Sequence, residues 1–466
     1  MIITTNPATG EELARYEFHT PAEVDATLAA AVAAQRRWAA EPVERRTALL
    51  RRIAGVLRAN RDRYARLITE EMGKPIVEAE GEIDKCALTL DYYAENAPRF
   101  LADEPVATSA FESAIVWDPL GVVLAIMPWN YPFWQLVRFL APTLAAGNGA
   151  VLKHANNVPG CALAIREMMR EADAPEGLLG VLFVDNTEVA GIIADDRIAA
   201  VTLTGSTAVG SIVAAQAGRA LKPQVLELGG SDPFIVLADA DIEAAAKTAV
   251  KARFSNTGQS CISAKRFIVV EAVAEAFAEA FRRHMAYLVV GNPMDRQTTI
   301  GAMARENLRD TLHAQVEASV AAGACLVAGG RPVPGRGFFY EPTLLDGVAP
   351  EMVAFCEETF GPAAAIVRAR DTEDAIRLAN QTEFGLGAAL WTGDLFAAKR
   401  LVRRIEAGAV FVNALVASDP RIPFGGIKKS GYGRELGALG MRAFLNAKTI
   451  WIGTAEPATS PRKPLD

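Results

Sequence analysis

Ile198-Ala199-Ala200-Val201-Thr202-Leu203-Thr204-Gly205-Ser206-Thr207-Ala208-Val209-Gly210 is the stretch whose reading decides the fold. Ile198–Leu203 has the length and apolar character of a strand buried on both faces. It stops at Thr204-Gly205-Ser206, and a helix begins near the serine. The same alternation continues on its N-terminal side. Gly121–Ile126 reads as a strand, Phe133–Ala146 as a helix, Gly149–Lys153 as a short buried strand, Cys161–Glu171 as a helix and Leu179–Val184 as an extended run. Short strands alternating with helices predict a parallel sheet covered on both faces, and hence an α/β fold.

Outside that unit the pattern changes twice. Residues 21–97 are rich in helix formers; Val24, Leu28, Ala31 and Trp38 share one helical face, and further helices are expected around Arg46–Ile68 and Ile76–Glu95. Ser113–Trp117 reads as a strand before a turn at Asp118-Pro119-Leu120-Gly121. A second α/β unit is expected from about Gly229, with strand signals at Phe234–Val236, Phe267–Val270 and Leu344-Leu345. Its helices are expected at Ala240–Ser255, Ala272–Leu288 and Ile300–Ala321.

Composition narrows the function classes. A chain of 466 residues, 51% apolar and 22% charged, has the size for two or three cores and the balance of a soluble globular enzyme. A net charge of −7 offers no general attraction to nucleic acid or an anionic membrane, and no apolar run is long enough to span a bilayer. A cytoplasmic protein is expected. Cysteines 86, 161, 261, 325 and 356 are widely spaced and odd in number, and the four histidines are equally scattered. Neither a disulfide framework nor a protein-bound metal is expected.

The chemistry gathers around Cys261, in Asn256-Thr257-Gly258-Gln259-Ser260-Cys261. A thiolate can attack an aldehyde carbon to give a thiohemiacetal; loss of hydride leaves a thioester, which water hydrolyses to the acid. Taken alone, the cysteine is equally a small buried hydrophobe. Glu227, in Leu226-Glu227-Leu228-Gly229-Gly230, stands where a strand gives way to glycines. It can accept the thiol proton and later activate water, directly or through water, or be a salt-bridge member. Asn130, in Pro128-Trp129-Asn130-Tyr131-Pro132, and the Cys261 backbone N–H can donate to the developing oxyanion; a plain turn is the alternative. Thr204, Gly205, Ser206 and Gly210 form a shortened phosphate-binding turn, lacking the early glycine pair of a full dinucleotide fingerprint. Lys153 can meet an adenosine ribose or its phosphate.

Together these segments closely resemble the aldehyde dehydrogenase superfamily. The likeness runs from Asn6-Pro7-Ala8-Thr9-Gly10, through Phe339-Tyr340-Glu341-Pro342-Thr343-Leu344, to Pro423-Phe424-Gly425-Gly426-Ile427-Lys428. It implies a Rossmann-like cofactor domain over 1–100 and 119–228, an α/β catalytic domain over 229–426 and a small β oligomerisation element over 101–118 and 440–454. A connecting segment at 427–439 and a C-terminal tail at 455–466 complete the chain. It also implies Cys261, Glu227 and Asn130 as the catalytic set, with Trp129, Lys153, Asn156, Thr204, Gly205, Ser206, Gly210, Glu358 and Phe360 at the cofactor. Glu358 and Phe360 come from Glu358-Thr359-Phe360-Gly361-Pro362, which is similar to the family's nicotinamide-side motif.

Within the superfamily the chain is most similar to bacterial succinate-semialdehyde dehydrogenases, through Asn130–Gln135 and Ser418–Pro423. That likeness implies NAD(P)-dependent oxidation of a small aldehyde with a distal carboxylate, held by Arg138, Ser418 and Arg421. Two departures stand out. Ser255 occupies the place, six residues before Cys261, where relatives with a strong substrate clamp carry a second arginine. Ser263 replaces the second cysteine of a redox switch. Asn156 stands three residues after Lys153, where NAD-selective relatives carry glutamate; without that charge both NAD and NADP are expected, NADP ahead. A homodimer or dimer-based homotetramer is implied. Oxidation of another small aldehyde, CoA-acylating oxidation and an inactive scaffold are the competing readings.

Overall fold

The computed structural model describes residues 1–454; the expected tail at 455–466 lies outside them. Three larger sheets organise the described residues, beside a two-stranded antiparallel sheet of Ile2–Thr5 and Glu12–Tyr16. The first has six strands in the order Gly431–Tyr432, Gln224–Glu227, Ile198–Thr204, Val122–Met127, Gly149–His154, Leu179–Leu182. All its pairings are parallel except that of Gly431–Tyr432. From Val122–Met127 the chain winds outward through two strands, then returns to the other side for Ile198–Thr204 and Gln224–Glu227. This reversal leaves a crevice beyond the carboxyl ends of Val122–Met127 and Ile198–Thr204, where ligands of open α/β sheets bind. Pro128-Trp129-Asn130 and Gly205-Ser206 follow directly from those two strand ends.

The second sheet has seven strands, in the order Cys325–Ala328, Thr343–Asp346, Ala363–Ala369, Arg266–Val270, Pro233–Val236, Gly387–Trp391, Ala409–Val412. Only Cys325–Ala328 is antiparallel to its neighbour. Pro233–Val236 and Arg266–Val270 are buried throughout, as parallel strands with helices on both faces must be. The third sheet is antiparallel, with Glu112–Pro119 between Glu104–Pro105 and Leu445–Ile452. Its outer strand exposes Trp451 and Ile452.

Of the N-terminal helices, Pro21–Ala39 packs against the strands Gly149–His154 and Leu179–Leu182, while those that follow it pack on one another and on the helices Trp134–Ala145 and Pro159–Glu171. Pro21–Ala39 begins with Pro21 at its first position and a capping box: Thr20 Oγ1 accepts from Glu23 N, and the Glu23 carboxylate accepts from Thr20 N at 2.7 Å. Two expected helices differ in extent. Arg46–Ile68 is two helices, Val43–Ala59 and Arg61–Met72. Asn60 breaks them, its side chain turning back to donate to Val56 O at 3.1 Å. Ile300–Ala321 starts only at Glu306. The segment before it is drawn out by contacts with the Cys261 loop: Gly301 N donates to Thr257 Oγ1 and Ala304 N to Gln259 Oε1, both at 3.0 Å. None of the helices among the described residues is long and apolar enough to cross a membrane.

Candidate active site

Cys261 stands where two cavities meet. One, of about 510 Å³, is lined among others by Tyr131, Trp134, Arg138, Ser260, Ser418 and Phe424. The other, of about 230 Å³, is lined by Trp129, Asn130, Thr204, Gly205, Ser206, Leu228, Gly229, Arg305, Glu358 and Phe360 among others. Cys261 and Gln135 are the residues common to both walls.

The loop that carries the sulfur is held in a costly shape. Asn256, Thr257 and Gly258 all have left-handed backbones, with φ of +55°, +56° and +71°. For the two non-glycine residues this is a strain of order 1–3 kcal/mol each. A dense set of hydrogen bonds over-determines it. Asn256 N donates to Glu78 Oε2 at 2.7 Å, and Asn256 Nδ2 donates to Asn130 O and Gln259 O. Beyond the nucleophile, the buried Lys265 ammonium donates to Cys261 O at 2.7 Å and Ser260 O at 3.1 Å. The Cys261 thiol is pushed up to about 12, chiefly by burial, with Arg138 and Lys265 pulling against the rise and Glu358 and Asp232 adding to it. The resting sulfur is therefore a thiol.

Asn130 is fixed from both ends. Its Nδ2 donates to Gln259 O at 3.0 Å, and its Oδ1 accepts from Gln135 Nε2 at 2.9 Å. One amide hydrogen stays available, and the Cys261 backbone N–H has no acceptor among the described residues. Gln135 was not singled out in the sequence, although its place at the start of the helix Trp134–Ala145 lets it reach back one turn.

Glu227 ends its strand in a buried position, 2% exposed, and neither carboxyl oxygen has a hydrogen-bond partner. A side chain on Gly425 would come within 2.6 Å of Glu227 Oε1, so the carboxyl packs against that glycine and lines neither cavity. Its pKa is raised to about 8, first by burial and then by Glu435, against the opposing pull of Arg138 and Arg434.

On the cofactor side, Ser206 caps the helix Thr207–Arg219, its Oγ accepting from Val209 N, so the helix N-terminus opens onto the smaller cavity. Gly210 does not line the cavity; it lets the helix close on Leu228, where a Cβ would come within 2.4 Å. Trp129 and Phe360 meet edge-to-face, with ring centroids 5.8 Å apart. Glu358 Oε1 accepts from Gly230 N at 3.0 Å and lies 3.4 Å from Lys265 Nζ. Lys153, the penultimate residue of the strand Gly149–His154, is in neither cavity wall and donates to Asn186 Oδ1 at 2.9 Å and Asn156 Oδ1 at 3.3 Å. Asn186 is thus a polar neighbour that sequence spacing did not reveal.

The expected substrate residues separate. Arg138 lines the larger cavity, but it is ion-paired to the equally buried Glu435 and donates to Thr204 Oγ1 at 3.2 Å. Ser418 is in the wall, its Oγ accepting from Lys85 Nζ at 2.7 Å. Arg421 is not in the wall: Asp419, two residues earlier, accepts from its Nε at 2.8 Å, and its side chain is 74% exposed. That local turn spends its charge outside the cavity. Lys85 was missed. Glu78, Gly81, Glu82 and Lys85 all line the cavity, and their i, i+3, i+4, i+7 spacing marks one face of the helix Ile76–Phe100. That polar stripe was readable in the sequence.

A switch-point crevice with a helix N-terminus on one side of the half-buried Cys261 thiol, and a substrate-sized cavity on the other, fits an aldehyde-oxidising dehydrogenase. The sequence profile of the aldehyde dehydrogenase family matches residues 1–450, and the chain belongs to that family. It is 49% identical over 449 residues to the succinate semialdehyde dehydrogenase [NAD(P)+] Sad of Escherichia coli, covering 96% of this chain and 97% of that protein. It is also 49% identical over 451 residues to a probable succinate-semialdehyde dehydrogenase [NADP(+)] of Synechocystis, covering 97% and 99%. Among solved structures, the succinic semialdehyde dehydrogenase of Streptococcus pyogenes in complex with NADP+ superposes with a TM-score of 0.95 at 37% identity, covering 97% of this chain and all of that one.

Proposed function

We propose that the protein oxidises succinate semialdehyde to succinate with NAD or NADP, through a thiohemiacetal and a thioester on Cys261. The observation that carries this reading is the place of Cys261 in the walls of both cavities. The larger cavity takes the aldehyde, and Lys85 and Lys251 in its wall, neither of them ion-paired among the described residues, favour a substrate with a distal carboxylate. The smaller one suits the nicotinamide half of the cofactor. Trp129 and Phe360 supply apolar contact, Glu358 supplies acceptors for ribose hydroxyls, and the helix behind Ser206 supplies N–H groups for phosphate. A bound nicotinamide supplies the hydride acceptor.

The chain's own part follows from charge and position. Cys261 must lose its proton to attack. A carboxyl held near 8 is a stronger base than an ordinary glutamate, which suits Glu227 to the task. Because Glu227 packs against Gly425, it acts after a side-chain rotation toward the sulfur or through an intervening water. The free hydrogen of Asn130 Nδ2 and the Cys261 N–H stabilise the oxyanion. Once the acyl group is on sulfur and Glu227 has released the thiol proton to solvent, its carboxylate takes the proton of the attacking water. A kcat/KM comparison across small aldehydes with and without a terminal carboxylate tests this reading, with a preference for succinate semialdehyde as the expected result.

Cofactor choice is proposed to rest on Lys153, with Asn156 leaving its charge uncancelled. Asn156→Glu is expected to lower kcat/KM for NADP at least about tenfold, because a carboxylate facing the extra phosphate is a like-charge contact. NAD should be nearly unaffected, and the ratio of the two kcat/KM values measures it. The exposed strand Leu445–Ile452 supports assembly into a homodimer or a dimer-based tetramer through the small sheet.

A further inference from the structure

We propose that Lys85, together with Ser418, is the anchor for the substrate's distal carboxylate, and that Arg138 serves the scaffold beneath Glu227 instead. This rests on the semialdehyde reading above and assigns its recognition to a residue outside every motif that carried the resemblance.

Charge accounting around the larger cavity leads to Lys85. Glu82 is spent: it pairs with the buried Lys74 and accepts from Phe133 N and Trp134 N at 2.9 Å each. Glu78 accepts from Asn256 N. Arg138 is taken by Glu435, with both side chains almost fully buried. Lys251 is exposed. Lys85 differs from all of these. It is half-buried, no carboxylate lies within 4 Å of its ammonium among the described residues, and its polar partner is the neutral Ser418 hydroxyl. The ammonium lies 4.1 Å from the Trp134 ring centroid, which fixes it without neutralising it.

Burial lowers the Lys85 pKa to about 8, with Arg138 adding to the effect, so the ammonium is still the major form at pH 7. A partly desolvated cation without a counter-ion is an unfavourable arrangement that an arriving carboxylate relieves. Of its three N–H donors, one goes to Ser418 and two are left. Ser418, accepting from Lys85, keeps its own hydroxyl hydrogen for the same carboxylate. Because Cys261 is in the wall of this cavity too, an acid anchored at Lys85 can present its aldehyde to the sulfur. Ser255 leaves empty the arginine position of strongly clamping relatives, and Lys85 supplies a positive charge in the same cavity from a different helix.

The test compares kcat/KM for succinate semialdehyde and for butanal, an uncharged aldehyde of equal length, in wild type, Lys85→Met and Lys85→Arg. Lys85→Met is expected to lower the value for the semialdehyde roughly 10- to 100-fold, chiefly through KM, while butanal changes by less than about threefold. Lys85→Arg should recover much of the loss. Butanal turnover reports that the variant is folded. Equal losses for both aldehydes make Lys85 a scaffold residue and overturn the proposal, and so does an unchanged semialdehyde value. A wild-type enzyme with no preference for the charged aldehyde overturns the substrate reading itself; a wild-type preference that survives Lys85→Met overturns the anchor alone.

Discussion

Cys261→Ala protein is expected to fold, to bind NADP with nearly unchanged affinity and to lose aldehyde oxidation by more than about 10³-fold, the scale on which nucleophile deletions act. The side chain is half-buried and packs at the margin of the largest core cluster, so losing the sulfur removes little packing. The backbone of the loop does not depend on it. Lys265 holds the residue-261 carbonyl, Asn256 holds Asn130 O and Gln259 O, and Gln259 Oε1 accepts from Ala304 N. Steady-state reduced-cofactor formation, read beside cofactor titration, checks both halves. Turnover at the wild-type rate would remove covalent catalysis from this residue, whereas loss of cofactor binding as well would mean a collapsed loop.

Glu227→Gln carries the second large effect. A positioned general base contributes about 10²–10⁴-fold, so steady-state turnover should fall by that order. If the thioester step suffers most, a burst of reduced cofactor precedes the slow phase. Two pH readouts separate this role from a packing defect. In wild type the carboxyl has a pKa of about 8, so the Glu227-dependent rate should rise through that pH, and glutamine should flatten the rise. Stability moves the other way. Because the folded value is raised above 4.5, the folded protein keeps a proton that the unfolded chain releases. The contribution is therefore full below pH 4.5 and is lost as pH rises to about 8. Glutamine escapes that loss. The Tm of Glu227→Gln relative to wild type should be higher at pH 9 than at pH 5.

Much of this was legible in the sequence because the signals are local. The strand, turn and helix of Ile198–Gly210 lie on the chain as read, and Ser206 caps the helix that its position predicted. Asn130 and Cys261 sit in short loops next to strands or helices, so their neighbourhood is mostly a matter of sequence. What escaped was set by distant partners. Asn60 splits a helix through a hydrogen bond to its own preceding turn, against an uninterrupted apolar periodicity. Residues 300–305 have helical composition but are held extended by the Cys261 loop. Arg138 lines the larger cavity, but its ion pair with Glu435, almost three hundred residues away, could not be read from the sequence. The helix stripe that carries Lys85 was readable, but its contact with Ser418 was not, since only folding brings the two together. Arg421 shows the reverse case, a local Asp419 contact outweighing a motif.

The most direct test of the covalent account is to mix Glu227→Gln with succinate semialdehyde and NADP, quench in acid within the burst and map the protein by peptide mass. An acyl adduct on the peptide containing Cys261, in amounts matching the reduced cofactor formed, is the predicted result. Stoichiometric cofactor reduction with Cys261 unmodified would contradict it.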